Sequence, residues 1–278
     1  MVVTDNGANM IKAVRVASDK GEDYDADDEA SDSESEDEET EGEVEEDDDS
    51  SQSDRNDYDS AITLHRFPCI AHTLQLVLKD VDRHPAYARV LSQAKAVVKK
   101  IRVSSVATEK MIKRCGKTVV AECTTRWNSN MFMVERLLAV KDHLVEVFRE
   151  MQWDCFLASE WAKLDEICQI LKPFTEHTNV MQTDKFALSN VIPVLLDLSA
   201  HLSSLAIPLA RSLLVSLHTR FDTLLNPANP DFDPLPSAAC LLDPAVASML
   251  LTTDTSGLLS AAKTYICQTR EVSIQCQH

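Results

Sequence analysis

The chain has 278 residues, a formal net charge of −18, five glycines and only 5% aromatic residues. This length fits one large domain or two small ones, and the scarcity of glycine and aromatic residues favours helices over a β-sandwich. The eight cysteines form no Cys-x-x-Cys pair, no secretory signal opens the chain, and no apolar run reaches the ~20 residues of a membrane span, so we expect an intracellular protein with reduced thiols and no membrane partner.

The charge is distributed very unevenly along the chain. From Asp19 to Asp59 there are 23 acidic and two basic residues, whereas the rest of the chain has 25 basic and 22 acidic residues. So polar a tract cannot bury enough apolar surface to offset its ordering entropy, and residues 19–60 are predicted to be a disordered acidic insertion. It is either a solvated surface loop, or a segment that docks basic protein partners or shields the basic body.

The first 14 residues predict a strand followed by a helix. Val2-Val3-Thr4 favours a buried strand, Asp5 follows it, and apolar residues then recur at helical spacing up to Val14. An acid at the end of a strand lies where α/β folds bind ligands, but this stretch alone favours Asp5 as a turn residue or helix N-cap. Because a lone strand cannot form a sheet, we expect a truncated gene model or a fragment of a longer protein.

A second strand and helix are predicted after the acidic tract. Residues 62–71 favour a strand, in which Pro68 indicates an edge position or a bulge, and a helix is expected from His72. The spacing of Cys69 and His72 resembles half of a zinc site, but no second pair is placed to complete four ligands. We therefore expect a buried Cys, and a His that caps a helix or contacts a ligand near Asp5. The two strand–helix pairs indicate half of a parallel α/β arrangement.

The most basic stretch runs from residue 79 to residue 117, with 11 basic and three acidic residues. It includes a predicted amphipathic helix from Pro85 to Val103. Four cations lie mostly outside its apolar stripe and are candidates for contact with DNA phosphates: Lys95, Lys99, Lys100 and Arg102. The alternative is a solvated helix face that the acidic insertion neutralises.

Arg126 and Trp127 precede the next predicted helix. A guanidinium can bind phosphate and an indole can stack on a base, whereas the alternative is a core Trp beside a surface Arg. Further helices are predicted from Ser159 to near Pro173, from Ser189, and over residues 202–225. A proline-rich loop and a buried apolar segment at 238–244 follow, and the helical pattern fades after Ala262.

Three stretches, in this order, resemble the hAT-family transposases and their domesticated relatives, the zinc finger BED domain-containing proteins: Val3–Met10, Arg66–Leu76 and Thr125–Ser129. Shorter motifs add support: Leu171–Phe174, Thr178–Val180, Leu188–Pro193 and Leu241–Pro244. The resemblance extends over roughly residues 1–250 apart from the acidic insertion.

The resemblance implies a fold that is α/β plus mainly α: a truncated ribonuclease-H-like core interrupted by a helical insertion domain. The expected parts are core 1–18, acidic insertion 19–60, core 61–82, helical insertion 83–236, and a return to the core with an atypical tail at 237–278.

The resemblance also implies roles for particular residues. In that family two Asp and one Glu bind two Mg²⁺ ions for DNA cleavage and strand transfer. Asp5 matches the second Asp, Cys69 and His72 match the family's Cys-x-x-His, and Arg126 with Trp127 matches an Arg-Trp pair near the DNA. The first Asp, the Glu, the BED finger and the dimerisation segment have no counterpart in the sequence.

One carboxylate cannot hold two Mg²⁺ ions, so no cofactor and no transposase activity are expected, and Asp5 becomes an orphaned metal-ligand position. The predicted function is therefore a catalytically incompetent, hAT-derived nuclear protein that retains DNA or protein binding. One alternative is a partial gene model of an active transposase. The other is a helical interaction scaffold whose acidic tract recruits partners.

Overall fold

The computed structural model describes residues 2–4, 66–121, 129–183 and 186–275. These residues are mainly helical, which confirms the mainly α part of the predicted fold class. The chain divides into two units, residues 1–69 and residues 70–278. Within the described ranges, no helix combines the length and apolar character that a bilayer crossing requires.

The first unit contains two short parallel strands. β1 (Val2–Thr4) pairs with β2 (Arg66–Pro68), and Val3 lies opposite Phe67. This pairing confirms that the strands on either side of the acidic tract are parallel neighbours. Pro68 is the last residue of β2, where a missing backbone N–H interrupts no further ladder bond. Two strands of this length do not establish a ribonuclease-H-like core, which stays a prediction.

The second unit is built from helices. Its described α-helices are α1 (Ile70–Lys79), α2 (Pro85–Val103), α3 (Ser105–Cys115), α4 (Ser129–Ala139), α5 (Lys141–Glu150), α6 (Ala158–Met181), α7 (Val191–Ser204), α8 (Pro208–Arg220), α9 (Asp222–Leu225), α10 (Leu235–Leu242) and α11 (Ser256–Gln275). Short 3₁₀ turns connect some of them: Asp80–Arg83, Leu188–Asn190, Ala247–Leu250 and Thr253–Thr255.

Helix α6 is central to this unit because it packs against α1, α2, α4 and α7. Its apolar side chains recur every three or four residues and are buried: Trp161, Leu164, Ile167, Ile170, Leu171 and Phe174. Further along the chain, helix α10 packs against both α7 and α11. The apolar side chains whose helical spacing predicted these helices are therefore also the side chains that form the core.

The predicted end of a helix near Pro173 is wrong, because α6 continues to Met181. A proline lacks the backbone N–H that would bond the carbonyl four residues earlier, here that of Gln169. In the structure, His201 of α7 places its Nε2 atom 3.1 Å from the Gln169 carbonyl oxygen, so the ring nitrogen donates in place of the missing backbone group. A neighbouring helix therefore satisfies the carbonyl that proline leaves unpaired.

The start of this helix lies one residue before the predicted Ser159, which does not cap it. Helix α6 begins at Ala158, and the Leu157 backbone N–H donates to the Glu160 carboxylate at 2.8 Å. The same buried carboxylate accepts a hydrogen bond from Gln93 of α2 at 3.0 Å and lies 3.7 Å from the Arg89 guanidinium. Glu160 therefore caps α6 and also ties α2 to it.

Other boundaries differ from the predicted ones in similar ways. Helix α7 begins at Val191 and not at the predicted Ser189, which lies in a 3₁₀ turn and donates to Asp243 at 2.7 Å. Residues 202–225 are divided among α7, α8 and α9, because Pro208 starts a new helix. The helical pattern does not end at Ala262, since α11 extends to Gln275.

Candidate nucleic-acid interface

Three of the four predicted phosphate-binding cations of α2 lie together. Lys95, Lys99 and Arg102 line one groove of about 450 Å³. They are separated by four and three residues, a spacing that places side chains on the same face of a helix. The remaining walls come from Val98 and Val103 of α2, Ala121 of the loop after α3, and Met133 of α4.

These cations are exposed, and two of them lack an acidic partner. Lys99 and Arg102 make no ion pair with any carboxylate in the described ranges, and Lys95 is exposed on the same face. The charges of Lys99 and Arg102 therefore face an open groove without a carboxylate partner among the described residues. Such a surface attracts anions, and the attraction weakens as salt screens it.

Lys100 is placed differently from its neighbour Lys99. Its ammonium lies 4.4 Å from the centroid of the Trp153 ring, a cation–π contact. Trp153 packs its edge against Phe148, with the ring centroids 5.4 Å apart. The structure therefore does not bring Lys100 to the groove, and its predicted contact with DNA stays a prediction.

The other half of the basic stretch is neutralised. Lys110 lies 2.6 Å from Glu150, and Arg114 pairs with both Glu146 and Glu150 of α5. The hydrogen bond from Lys110 and the charge of Arg114 hold the pKa of the Glu150 carboxyl below its usual value of 4.5. Sequence reasoning missed these pairs because the partners are 32 to 40 residues apart in the chain.

Helix α2 is held firmly against α6. The Tyr87 hydroxyl donates to Glu166 at 2.6 Å, in addition to the bonds that α2 makes with Glu160. Burial and the neighbouring Glu166 carboxylate raise the pKa of Tyr87 well above its usual value, so the hydroxyl keeps its proton. The cations of the groove therefore project from a fixed helix, which reduces the entropy lost on binding a ligand.

The loop after α3 forms the opposite wall of the groove. Gly116 ends α3 with φ of 65°, a left-handed conformation that glycine adopts without strain. Arg136 of α4 then donates to the Thr118 carbonyl at 3.2 Å and holds the loop against α4. Ala121 and Met133 both line this groove. In the sequence, Ala121 precedes residues 122–128 and Met133 follows them.

The remaining predicted site residues are not brought into this groove by the described contacts. Asp5, Arg126 and Trp127 lie outside the described residues. Cys69 directly precedes α1 and His72 lies within it, and both are partly buried. In the described ranges, no group of three or more His, Cys, Asp or Glu side chains could hold a metal ion. Asp5 as a metal ligand stays a prediction.

Comparison with known proteins identifies a related domain. Residues 67–170 match the family model of the ZBED1 RNase-like helical domain, a segment that includes all the groove residues. Human zinc finger BED domain-containing protein 4 is 24% identical over 198 residues, which cover 66% of this chain. The matched region covers 16% of that much longer relative.

Proposed function

Because these similarities make the chain a relative of the hAT-derived, BED-type proteins, we propose that it binds DNA through the groove beside α2 and does not cleave it. The observation that carries this proposal is the grouping of Lys95, Lys99 and Arg102 on one wall of the groove. Phosphate oxygens are the complementary ligands, since neutralising them releases condensed counterions from DNA.

The expected salt dependence follows from the number of cations. Three phosphate contacts give a slope of roughly −2.7 in a plot of log affinity against log salt. Affinity should then fall roughly 40-fold between about 50 and 200 mM salt. Because the whole chain has a formal net charge of −18, attraction to DNA requires a local positive surface of this kind.

Arg126 and Trp127 belong to the proposed interface on sequence grounds. The groove is lined by Ala121 on one side of them in the chain and by Met133 on the other. A guanidinium adds a phosphate ligand and an indole adds a stacking surface for a base. Replacing either residue with Ala should weaken DNA binding more than replacing the surface cation Lys263 on α11.

The absence of cleavage is part of the proposal. It is supported by the relationship to BED-type proteins. We assign the protein to the nucleus and expect no metal cofactor. Incubation of the full chain with DNA and Mg²⁺ or Mn²⁺ should yield no nicked or joined product, and Asp5-dependent cleavage would overturn this part.

Binding is tested with a fluorescently labelled 20-base-pair duplex and the full chain, over a series of salt concentrations. The test variant combines Lys95→Gln, Lys99→Gln and Arg102→Gln. The control combines Lys172→Gln, Arg211→Gln and Lys263→Gln, which removes the same charges from exposed positions on α6, α8 and α11. Glutamine is a good helix former, so both variants should keep their helical circular dichroism.

The test variant should bind at least about 100-fold more weakly at 50 mM salt, with a slope that is shallower by nearly three. The control should stay within about threefold of the unmodified protein. An equal loss in both variants would show that overall charge, not the groove, attracts DNA. If the unmodified chain does not bind at low salt, the proposal fails and the interaction-scaffold alternative gains.

A further inference from the structure

We infer that the groove accepts an unpaired nucleotide, so that the protein distinguishes bases of a single strand from a bare phosphate backbone. This inference rests on the proposed function. It goes further because it assigns a role to the apolar walls, which contact with phosphate alone does not require. The walls combine three cations with Val98, Val103, Ala121 and Met133.

The apolar residues of the groove form a floor and a rim. Val98 and Met133 are 2% and 0% exposed, so they close the base of the groove. Val103 is 79% exposed at its edge, directly beside Arg102. This is the largest exposed fraction among the large apolar side chains of the described residues. Contact with an apolar ligand surface would remove this side chain from water.

The dimensions favour one ligand chemistry. A volume of about 450 Å³ lies within the range of pockets that enclose small organic molecules, whereas a duplex is too wide to enter and would only place its backbone phosphates against the exposed cations. In a duplex the faces of the bases are covered by their neighbours, whereas an unpaired base can turn a face towards a protein side chain. The base would then lie against Val103, with its phosphates at the three cations.

A polyglutamate chain also carries negative charge but offers no flat apolar face. Lys95 and Arg102 are separated by about 10 Å along the helix axis, so either kind of polyanion could follow them. Only a nucleic-acid base would use Val103 in addition. The two ligands can therefore be distinguished by an apolar substitution that leaves every charge in place.

The experiment compares two labelled 20-residue strands that carry the same charge. One is oligothymidylate, and in the other every nucleotide is an abasic tetrahydrofuran unit. The full chain should bind oligothymidylate about tenfold more tightly, because contact with bases adds to contact with the backbone. Unlabelled polyglutamate should compete less well than oligothymidylate at equal charge.

The site is tested by Val103→Thr, which keeps the shape of the side chain but replaces a methyl with a hydroxyl. It should lower affinity for oligothymidylate roughly fourfold and leave affinity for the abasic strand unchanged. Val215→Thr is the matched control, because Val215 is a 67% exposed helical valine on α8. It should change neither affinity.

The outcomes separate this inference from the proposed function. Equal affinities for the two strands, or equal effects of the two valine substitutions, would overturn the inference while leaving phosphate binding intact. Competition by polyglutamate as strong as that by oligothymidylate would overturn it too. Failure to bind the strands and the duplex at low salt would overturn both proposals.

Discussion

Helices α2 and α3 are adjacent in the chain and similarly basic, yet their cations have different surroundings. Lys99 and Arg102 of α2 line an open groove without an acidic partner in the described ranges. Lys110 and Arg114 of α3 instead face Glu146 and Glu150 on α5. Local charge density therefore does not identify a binding surface. What matters is whether the fold brings acids from elsewhere to the same face.

The ion pairs of α3 are a structural device of modest strength. Exposed pairs of this kind contribute little to stability, because water screens the charges and ordering two long side chains costs entropy. Their larger consequence is electrostatic. Each pair cancels a positive charge that DNA would otherwise meet, so the positive potential is concentrated at α2.

Charge reversal on the two helices gives the largest expected difference. Lys99→Glu should weaken binding of duplex DNA by roughly 100-fold at 50 mM salt, since it removes one phosphate contact and adds a repulsive charge. Lys113→Glu makes the same change on α3, where Lys113 lies 2.7 Å from Glu109. Affinity of that variant should stay within about threefold of the original. Fluorescence anisotropy measures the DNA affinity of both variants. Equal losses of affinity would show that the cations of α2 and α3 do not differ in DNA binding.

A neighbouring pair on α2 sharpens the comparison within one helix. Lys99→Gln should weaken DNA binding about tenfold at 50 mM salt, whereas Lys100→Gln should change it less than about twofold. The latter should instead lower the free energy of unfolding by about 0.5–1 kcal/mol, through loss of the contact with Trp153. Fluorescence anisotropy gives the DNA affinity of each variant, and urea unfolding gives its free energy of unfolding. A large effect of Lys100→Gln on binding would place it in the interface after all.

The contrast between Lys99 and Lys100 also shows how far the sequence could predict the site. Helical periodicity predicted α2 and a basic face on it, because both depend on residues within a few turns of one another. It could not separate Lys99 from Lys100, since Trp153 is more than 50 residues away. The continuation of α6 through Pro173 depends likewise on His201, a side chain from another helix. Local patterns predicted the elements, and tertiary contacts decided boundaries and partners.

Removing the acids of α5 should convert α3 into a second basic surface. Glu146→Gln with Glu150→Gln leaves Lys110 and Arg114 without their partners and raises the net charge by two. Duplex affinity at 50 mM salt should rise several-fold, with a steeper dependence on salt. The control is Glu176→Gln, which removes an exposed carboxylate of α6 that makes no ion pair in the described ranges. An unchanged affinity in the double variant would mean that ion pairing is not what keeps α3 from binding DNA.

The smallest expected effect concerns the pH dependence of the α3–α5 contact. The pKa of Glu150 is held below 4.5, first by the hydrogen bond from Lys110 and then by the charge of Arg114. A carboxyl whose pKa is lower in the folded state adds stability above its unfolded pKa, and this is lost as the pH falls through the folded value. Glu150→Gln should therefore slightly lower the free energy of unfolding at pH 7, and the difference should shrink as the pH falls below the usual pKa of a glutamate carboxyl and through its lowered folded value. Glu176→Gln on α6, an exposed carboxyl without an ion pair in the described ranges, should show no such trend in urea unfolding. A difference for Glu150→Gln that is constant with pH would mean that the pair acts through side-chain packing and not through charge.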